Sequence, residues 1–237
     1  MTSKLLDETA FAGPEHLDPV YVAGYDWKAR FDPTNDLVVL REHGLDSAST
    51  VIDFGAGTGT FALAVASECK QVVAVDISPA MVERMRTKAA ELGMTNVRCV
   101  QAGFLSYEHA STAADFIYTR NALHHLPDFW KALALQRMAD ILRPGGLLYL
   151  DDLVFAFEPR EAENFISAWL DTGAQSTEDG WTREELEVHL LDEYSTFSWL
   201  LEPMIERAGF QIERVDYGES KVYAWYLCTK SPRGPAS

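Results

Sequence analysis

The chain has 237 residues, 47% of them apolar and 24% charged, a composition typical of folded domains and not of disordered or fibrous proteins. Lys and Arg number 20 against 36 Asp and Glu, and the net charge of −16 repels a phosphate backbone, which argues against nucleic acid as the partner. Cys69, Cys99 and Cys228 are widely separated, which matches neither a zinc knuckle nor a disulfide framework, and no metal site is expected.

The chain lacks the features of an exported or membrane-bound protein. No apolar run approaches the ~18 residues that a spanning helix needs, and the Met-Thr-Ser-Lys start has no apolar signal core. We therefore expect residues 1–237 to form one cytoplasmic domain without a membrane partner. The sequence does not distinguish a monomer from a homodimer.

Residues 1–35 come before the predicted sheet and are expected to form a helical cap. They concentrate aromatic and cationic side chains without the alternation of a strand, namely Tyr21, Tyr25, Trp27 and Arg30. We expect these four side chains to contact a substrate. The alternative for each aromatic ring is that it only packs the cap onto the rest of the domain.

The segment from Val51 to Thr60 reads as a strand, a glycine-rich turn and a helix start. Glycine adopts positive φ and leaves room where a Cβ would block a ligand, so Gly55, Gly57 and Gly59 let the backbone lie against a nucleotide. The positive end of the following helix would face that ligand. A glycine-rich turn without a ligand is the alternative.

The second predicted strand, residues 71–76, argues against a turn without a ligand. It ends in Asp76, whose carboxylate can accept hydrogen bonds from both hydroxyls of a ribose. An acid at the end of the second strand also occurs beside the dinucleotide fingerprint G-x-G-x-x-G. The spacing of the glycines therefore has to decide which nucleoside is bound.

In this chain the third glycine comes one position earlier than in the dinucleotide fingerprint, and Asp53 stands two residues before the first glycine. This pattern resembles the D/E-x-G-x-G-x-G signature of class I S-adenosylmethionine-dependent methyltransferases. The resemblance implies S-adenosylmethionine as the cofactor and S-adenosylhomocysteine as the product, with the acid near the amino group of the methionine part. The cofactor-binding residues that it implies here are Asp53, Gly55, Ala56, Gly57, Gly59, Asp76 and Ile77.

Strands and helices alternate along the chain in the rhythm of a parallel sheet. Strands are expected near 50–54, 71–76, 96–101, 114–119 and 147–153, with helices at 59–68, 79–92 and 128–142. The turn Arg143-Pro144-Gly145-Gly146 resembles the one before strand five of these methyltransferases. A final helix at 196–208 precedes two strands, 211–217 and 222–229, whose short connection requires antiparallel pairing.

We therefore predict a Rossmann-like, doubly wound α/β fold with a seven-stranded sheet in the order 3-2-1-4-5-7-6 and strand seven antiparallel. Its predicted parts are the helical cap (1–35), a cofactor-binding core (36–155), a helical lid insert (156–195), and a final helix and β-hairpin (196–230). The lid is inferred because the acid-rich amphipathic patterns of that segment are too long for a simple crossover.

Ligands of open α/β sheets lie at the carboxyl ends of the strands. Gly103 and Phe104 follow strand three, where many relatives carry an acid that meets the adenine amino group. This chain departs from that pattern, and we expect Phe104 to stack on the adenine and Gly103 to supply a backbone hydrogen bond. The segment after strand four, from Arg120 to Asp128, resembles the motif of small-molecule methyltransferases of the menaquinone-methylating type and implies Arg120 and Asn121 at the cofactor.

His124 and His125 lie in that motif and are the expected catalytic residues. An imidazole is the natural base near neutral pH if the acceptor must lose a proton. The alternative is that one histidine packs on the cofactor while the other hydrogen-bonds the loop. The acceptor is expected between this loop, the cap and the lid, which adds Asp152, Tyr194 and Trp199 to the predicted substrate contacts.

Together these features predict a methyltransferase that uses S-adenosylmethionine to methylate a small molecule by in-line displacement, with the protein chiefly positioning the acceptor. Two alternatives are kept. One is a module that binds S-adenosylmethionine or S-adenosylhomocysteine without methyl transfer. The other, less favoured, is an NAD-binding oxidoreductase, which would add a second βαβ half and usually a separate substrate domain.

Overall fold

The structure is a computed structural model that describes residues 6–176 and 180–232. Residues 1–5, 177–179 and 233–237, which include the start of the predicted cap and part of the predicted lid, lie outside the described residues. Two 3-10 turns, Glu8–Phe11 and Glu15–Leu17, come before the first α-helix. The α-helices are α1 (Pro19–Ala29), α2 (Thr34–Glu42), α3 (Thr60–Val65), α4 (Pro79–Glu91), α5 (Asp128–Ile141), α6 (Ala162–Gly173), α7 (Arg183–Leu191) and α8 (Ser198–Arg207). The strands are β1 (Thr50–Phe54), β2 (Gln71–Asp76), β3 (Val97–Gln101), β4 (Ala114–Arg120), β5 (Leu142–Phe155), β6 (Thr196–Phe197), β7 (Phe210–Asp216) and β8 (Tyr223–Lys230).

The sheet has the predicted order, β3-β2-β1-β4-β5-β8-β7. The strands from β1 to β5 pair in parallel, whereas β8 runs antiparallel to both β5 and β7. The predicted Rossmann-like, doubly wound fold is therefore confirmed, with β7 and β8 as the predicted strands six and seven. The carboxyl ends of β1 to β5 lie along one edge of the sheet, and the loops that carry the candidate residues meet there.

Two boundaries differ from the sequence prediction. β5 begins at Leu142 because that residue pairs with Ala114 ahead of an irregularity in the β4 register, so the predicted turn at Pro144-Gly145 lies within the strand. The predicted last helix begins at Ser198, because Thr196 and Phe197 first pair with Val154 and Phe155 as a short parallel strand.

The core lies on both faces of the sheet, as the strand sequences require. Alternate residues of a strand point to opposite faces, so Ile52 and Phe54 of β1 pack towards α5 and α8, and Val51 packs towards α2, α3 and α4. With both faces covered, β1 is buried along its whole length. The sheet is thereby held rigidly beneath its loop edge.

A third apolar cluster joins the segment between β5 and β6 to the sheet. It contains Trp169 and Leu170 of α6, Leu186 of α7, and Leu153 and Val222 next to the β5–β8 pair. α6 and α7 therefore lie beside the loop edge of the sheet. Within the described ranges, every helix is too short or too polar to cross a membrane.

Candidate active site

The glycine loop after β1 is shaped by two kinds of constraint. Gly55, Gly57 and Gly59 have φ of 70°, 55° and 85°. A Cβ on Gly55 would stand 2.2 Å from the Ala122 Cβ, and one on Gly59 would stand 2.6 Å from Met85 Cγ, whereas Gly57 has open space. Gly57 therefore faces the clefts directly, and Gly59 shapes the loop by packing on α4 instead of lining a cleft.

The first cleft encloses about 680 Å³ of space open to solvent, above the ends of β1, β2 and β3. The predicted residues that line it are Tyr25, Gly55, Gly57, Asp76, Ile77, Gly103, Phe104, Asn121 and His125. Asp76 accepts hydrogen bonds from the backbone nitrogens of Gly57 (2.7 Å) and Ser78 (2.8 Å). Burial raises the pKa of Asp76, and those two donors lower it in part. The Phe104 ring stacks on Phe54, with centroids 5.3 Å apart.

Glu8, in the first 3-10 turn, closes one side of the first cleft. Its carboxylate accepts hydrogen bonds from the backbone nitrogens of Leu105 (3.0 Å) and Ser106 (2.9 Å) and from Ser106 Oγ (2.7 Å). A Cβ on Gly103 would come within 2.3 Å of it. A carboxylate from the start of the chain therefore stands beside Phe104, where the sequence offers no acid after β3.

The second cleft, of about 920 Å³, lies over the glycine loop and is lined by Asp53, Ala56, Arg120 and Asn121. Asp53 is 2% exposed, and its Oδ2 atom has no hydrogen-bond partner among the described residues. Burial, and then the nearby Asp76, raises the pKa of Asp53 well above its usual value. Arg120 is paired instead with Asp151, Nε to Oδ2 at 3.0 Å. Asp53 is thus a buried carboxyl with an unused acceptor.

Asn121 and Tyr25 line the first, second and third clefts alike. Asn121 has a φ of 47°, a conformation uncommon for a residue with a Cβ, and its backbone nitrogen donates to the Asp151 carbonyl at 2.8 Å. Its buried Oδ1 has no hydrogen-bond partner among the described residues. The three clefts therefore meet at a backbone that is held in a strained position, with an amide oxygen still available.

The third cleft, of about 850 Å³, lies between the cap, the loop after β4 and α7. It is rich in histidines, carboxylates and aromatic rings. Its lining includes Glu15, His16, Tyr21, Tyr25, Asn121, His124, His125, Trp181, Glu185, His189, Glu193 and Tyr223.

His124 lies between two carboxylates at the floor of the third cleft. Its Nδ1 contacts Asp152 Oδ1, and its backbone nitrogen donates to Asp152 Oδ2 at 3.1 Å. Its Nε2 lies 3.1 Å from Glu193 Oε2 but is not aligned for a hydrogen bond. Burial lowers the pKa of His124, but Asp152 and Glu193 outweigh burial and raise this pKa to about 10.

His125 lines both the first and the third clefts. Its Nδ1 lies 3.6 Å from Glu193 Oε1, and its ring lies 4.4 Å from the His124 ring. Burial, and then the charge of His124, lowers the pKa of His125 to about 3. The pKa values of the two neighbouring histidines are therefore shifted in opposite directions.

Comparison with known proteins identifies the family. A family model described as a methyltransferase domain matches residues 51–146, which contain the glycine loop and the β4 motif. An uncharacterized methyltransferase of Geobacillus kaustophilus is 27% identical over 206 residues, 87% of this chain and 88% of that one. The ubiquinone/menaquinone biosynthesis C-methyltransferase UbiE of Haemophilus ducreyi is 31% identical over 156 residues, 59% of this chain and 60% of its own. These matches, together with the motifs and the fold, support a class I S-adenosylmethionine-dependent methyltransferase.

A solved structure agrees with the fold of this methyltransferase. The S-adenosylmethionine-dependent methyltransferase from Aquifex aeolicus superposes with a TM-score of 0.62 at 22% identity, over 90% of this chain and 98% of that one. The residues of the first and second clefts also fit the cofactor of the family. The unused Asp53 oxygen suits an ammonium group, Asp76 suits ribose hydroxyls, and Gly57 leaves open space between them.

Several predicted substrate contacts of the methyltransferase lie outside the lining of the three clefts. Asp152 is 2% exposed and lies beneath His124, whose Nδ1 it contacts. Trp27 and Trp199 are each 55% exposed, and Arg30 ends α1 with its guanidinium over the Trp27 ring. Tyr194 is 43% exposed, and its backbone nitrogen donates to the His124 carbonyl.

The sequence analysis missed other residues of the methyltransferase site. Trp181 and Tyr223 line both the second and the third clefts, and Glu193 and His189 surround His124. Each belongs to a segment far from the glycine loop in sequence and matches no motif. The sequence held a weak signal for two of these residues. His189 and Glu193 lie four residues apart in the predicted helical pattern of the lid, a spacing that puts two residues on one helical face.

Proposed function

We propose that this methyltransferase transfers a methyl group to a small molecule bound in the third cleft. The observation that carries the proposal is the meeting of three clefts at Tyr25 and Asn121, which gives a cofactor and an acceptor a common boundary. We further propose that residues 1–35 and 156–195 act as cap and lid around a core of 36–155, with 196–230 completing the sheet.

The cofactor would be held across the first two clefts. Asp76 would bind the ribose, and Gly103 and Phe104 would lie against the adenine. Asp53 would accept a hydrogen bond from the amino group of the methionine part. S-adenosylmethionine supplies a methyl group that is already activated by its sulfonium. The chain therefore needs to bind, orient and exclude water more than to create a reactive group.

The cap and the lid would exclude water from the acceptor. Lys28 of α1 is ion-paired with Glu185 of α7, and its ammonium lies 4.9 Å from the Trp181 ring centroid. Tyr21 and Tyr25 add two more rings to the same wall. Aromatic walls favour an apolar or cationic acceptor next to a sulfonium.

The two histidines would have different tasks. Both ring nitrogens of His124 face carboxylates, so His124 would hold a positive charge in place and would not take a proton from the acceptor. His125 borders the first and third clefts and is the better-placed base where an acceptor must lose a proton.

The charges of the third cleft favour a neutral or cationic acceptor. Glu15, Glu185 and Glu193 line it, whereas Arg120 lies in the neighbouring cleft and is paired with Asp151. Small amines, phenols and neutral heteroaromatic molecules are therefore the first acceptors to test. The overall charge of −16 works against nucleic acid.

Calorimetry followed by turnover tests the proposal. S-adenosylmethionine and S-adenosylhomocysteine should bind the full chain, and NAD should not; tight binding of NAD alone would support an oxidoreductase instead. Formation of S-adenosylhomocysteine should then require one member of the acceptor panel and a methylated product of matching mass. A cofactor that binds without turnover across broad panels would indicate a binding module.

A further inference from the structure

Three potential metal ligands converge on the floor of the third cleft. They are His124, His125 and Glu193, and one donor atom from each lies within 4.8 Å of the others. We propose that this cluster binds a divalent transition-metal ion of the zinc or cobalt type, with His124 Nε2, His125 Nδ1 and the Glu193 carboxylate as ligands. Imidazole and carboxylate ligands together suit such ions.

The separations between donor atoms already approach those of a metal site. A tetrahedral ion with ligand bonds of 2.0–2.1 Å keeps neighbouring ligand atoms roughly 3.3 Å apart. His124 Nε2 lies 3.1 Å from Glu193 Oε2, and His125 Nδ1 lies 3.6 Å from Glu193 Oε1. Small side-chain rotations would therefore complete the coordination without moving the backbone.

The orientation of His124 is a second, independent observation. Asp152 accepts from its Nδ1 and its backbone nitrogen, and is itself fixed by the Leu153 nitrogen at 2.8 Å. Nε2 is therefore directed at Glu193, buried at 2% exposure and without an aligned hydrogen bond. A carboxylate on the far nitrogen of a metal-binding histidine is the usual arrangement that fixes the ring and raises its basicity.

The surrounding groups fit a dication. Asp152 and Glu193 carry two negative charges, which offset the two positive charges of the ion when both histidines are neutral ligands. His189 contacts the same Glu193 carboxylate through Nδ1 and would orient it toward the ion. The remaining direction opens into the third cleft, where the acceptor is proposed to bind.

The role of the ion rests on the proposed function, whereas its binding does not. Coordinated to an acceptor hydroxyl or amine, the ion would lower the pKa of that group and fix its position beside the cofactor. His125 would then be a ligand and would not act as the base, and His124 would be a neutral ligand in place of the positive charge proposed for it without the ion. The competing arrangement is a proton shared between His124 and Glu193, which needs no metal.

Titration of the chelator-treated full chain with Co²⁺, without cofactor or acceptor, tests the site by its visible absorption. One ion per chain with the absorption of a low-symmetry, four- or five-coordinate site is expected, and Zn²⁺ should displace it. His125→Gln and Glu193→Gln should each weaken binding at least tenfold, and Asp152→Asn, which only positions His124, should weaken it about 10–100-fold. His43→Gln, on an exposed histidine near the end of α2, is the matched control and should bind like the wild type.

Circular dichroism and thermal melts of each variant separate lost binding from lost folding. Absence of the cobalt spectrum in the folded wild type, or equal binding by the His125→Gln, Glu193→Gln double variant, would overturn the metal site. Methyl transfer that survives chelation would refute a role of the ion in the reaction and leave the proposed function intact. A bound ion in a chain that transfers no methyl group would support the site and count against the proposed function.

Discussion

Replacing Asp53 by Asn should change stability and cofactor affinity in opposite directions. Asp53 is buried, and its Oδ2 atom lacks a hydrogen-bond partner among the described residues. The free protein is therefore destabilised by a buried carboxylate oxygen without a partner. Burial and the charge of Asp76 raise the pKa of Asp53 for the same reason. Asn removes the charge at nearly constant volume, so the free protein should become more stable while the amino group of the cofactor loses its partner.

The magnitudes follow from the environment of the carboxyl. An unsatisfied buried group costs about 1–3 kcal/mol, and Asn removes the charge but keeps a buried amide, so a gain of about 1 kcal/mol is expected. A hydrogen bond between charged partners contributes about 1.5–3 kcal/mol, which corresponds to roughly 10- to 150-fold weaker binding of S-adenosylmethionine.

The pH dependence of the stability gain has a defined sign. Asp53 is protonated in both states below its unfolded pKa of about 3.9, so wild type and variant should differ least there. Between that pH and the raised folded pKa, the unfolded wild type releases a proton that the folded state retains, and wild-type stability falls. The advantage of Asp53→Asn should therefore grow through this range and stay constant above it.

Urea unfolding without ligand and calorimetry with S-adenosylhomocysteine measure the two effects. Asp46→Asn is the matched control, because the Asp46 carboxylate accepts from the Ala48 nitrogen at 2.9 Å and from Ser49 Oγ at 3.0 Å, and these bonds lower its pKa. That variant should lose stability and keep cofactor affinity. A loss of stability in Asp53→Asn with unchanged affinity would make Asp53 a structural residue and refute the reasoning.

Three further substitutions test the rest of the site. Gly55→Ala should lower the free energy of unfolding by about 2–4 kcal/mol, measured by thermal unfolding, because of the positive φ and a clash with Ala122. Gly44→Ala, with φ of 92° and open space, should cost less. Equal losses would show that the clash does not contribute. Glu8→Ala should lower the free energy of unfolding by about 2 kcal/mol and weaken cofactor binding, and unchanged affinity would leave Glu8 outside the cofactor site. His125→Ala should lower turnover about 10²–10⁴-fold and preserve cofactor affinity. Full turnover would show that His125 is neither the general base nor a metal ligand that the reaction needs.

The sequence predicted those parts of the molecule that follow from local chemistry. The glycines at 55, 57 and 59 need positive φ, and the acid that ends β2 needs no tertiary information to be found. The sheet order followed from alternating elements and one short hairpin, because few topologies satisfy both. The start of β5 was misplaced because Pro144 and Gly145 resemble a turn, whereas pairs with β4 lie on both sides of them, at Leu142 and from Leu147 onwards.

The sequence could not give the direction in which a side chain points. Asp151 and Asp152 are neighbours on β5 and point to opposite sides, so one meets Arg120 and the other supports His124. Trp27 carries the aromatic ring expected in a substrate wall but lies on the exposed side of α1. Helical position, not residue type, decides which ring of the cap reaches a cleft.

The most consequential omissions came from long-range contacts. Glu8 stands 97 residues before the Leu105 nitrogen that it accepts from, and Glu193 lies in the segment after α7. Among 36 acidic residues, Glu8 has no local pattern that singles it out, and Glu193 has only its four-residue spacing from His189. Only the fold brings these carboxylates to the ends of β3 and β4.

α1 connects the cofactor side of the site to the acceptor side. Asp26 contacts Thr58 of the glycine loop and Lys88 of α4, and Lys28, half a turn further on, is paired with Glu185 of α7. Tyr25, the residue before Asp26, lines all three clefts. Since one helix covers both the glycine loop and the third cleft, residues of α1 and α7 would surround the proposed acceptor where the sheet does not. Acceptor choice in this methyltransferase should therefore depend on these two helices, while the sheet edge determines the cofactor.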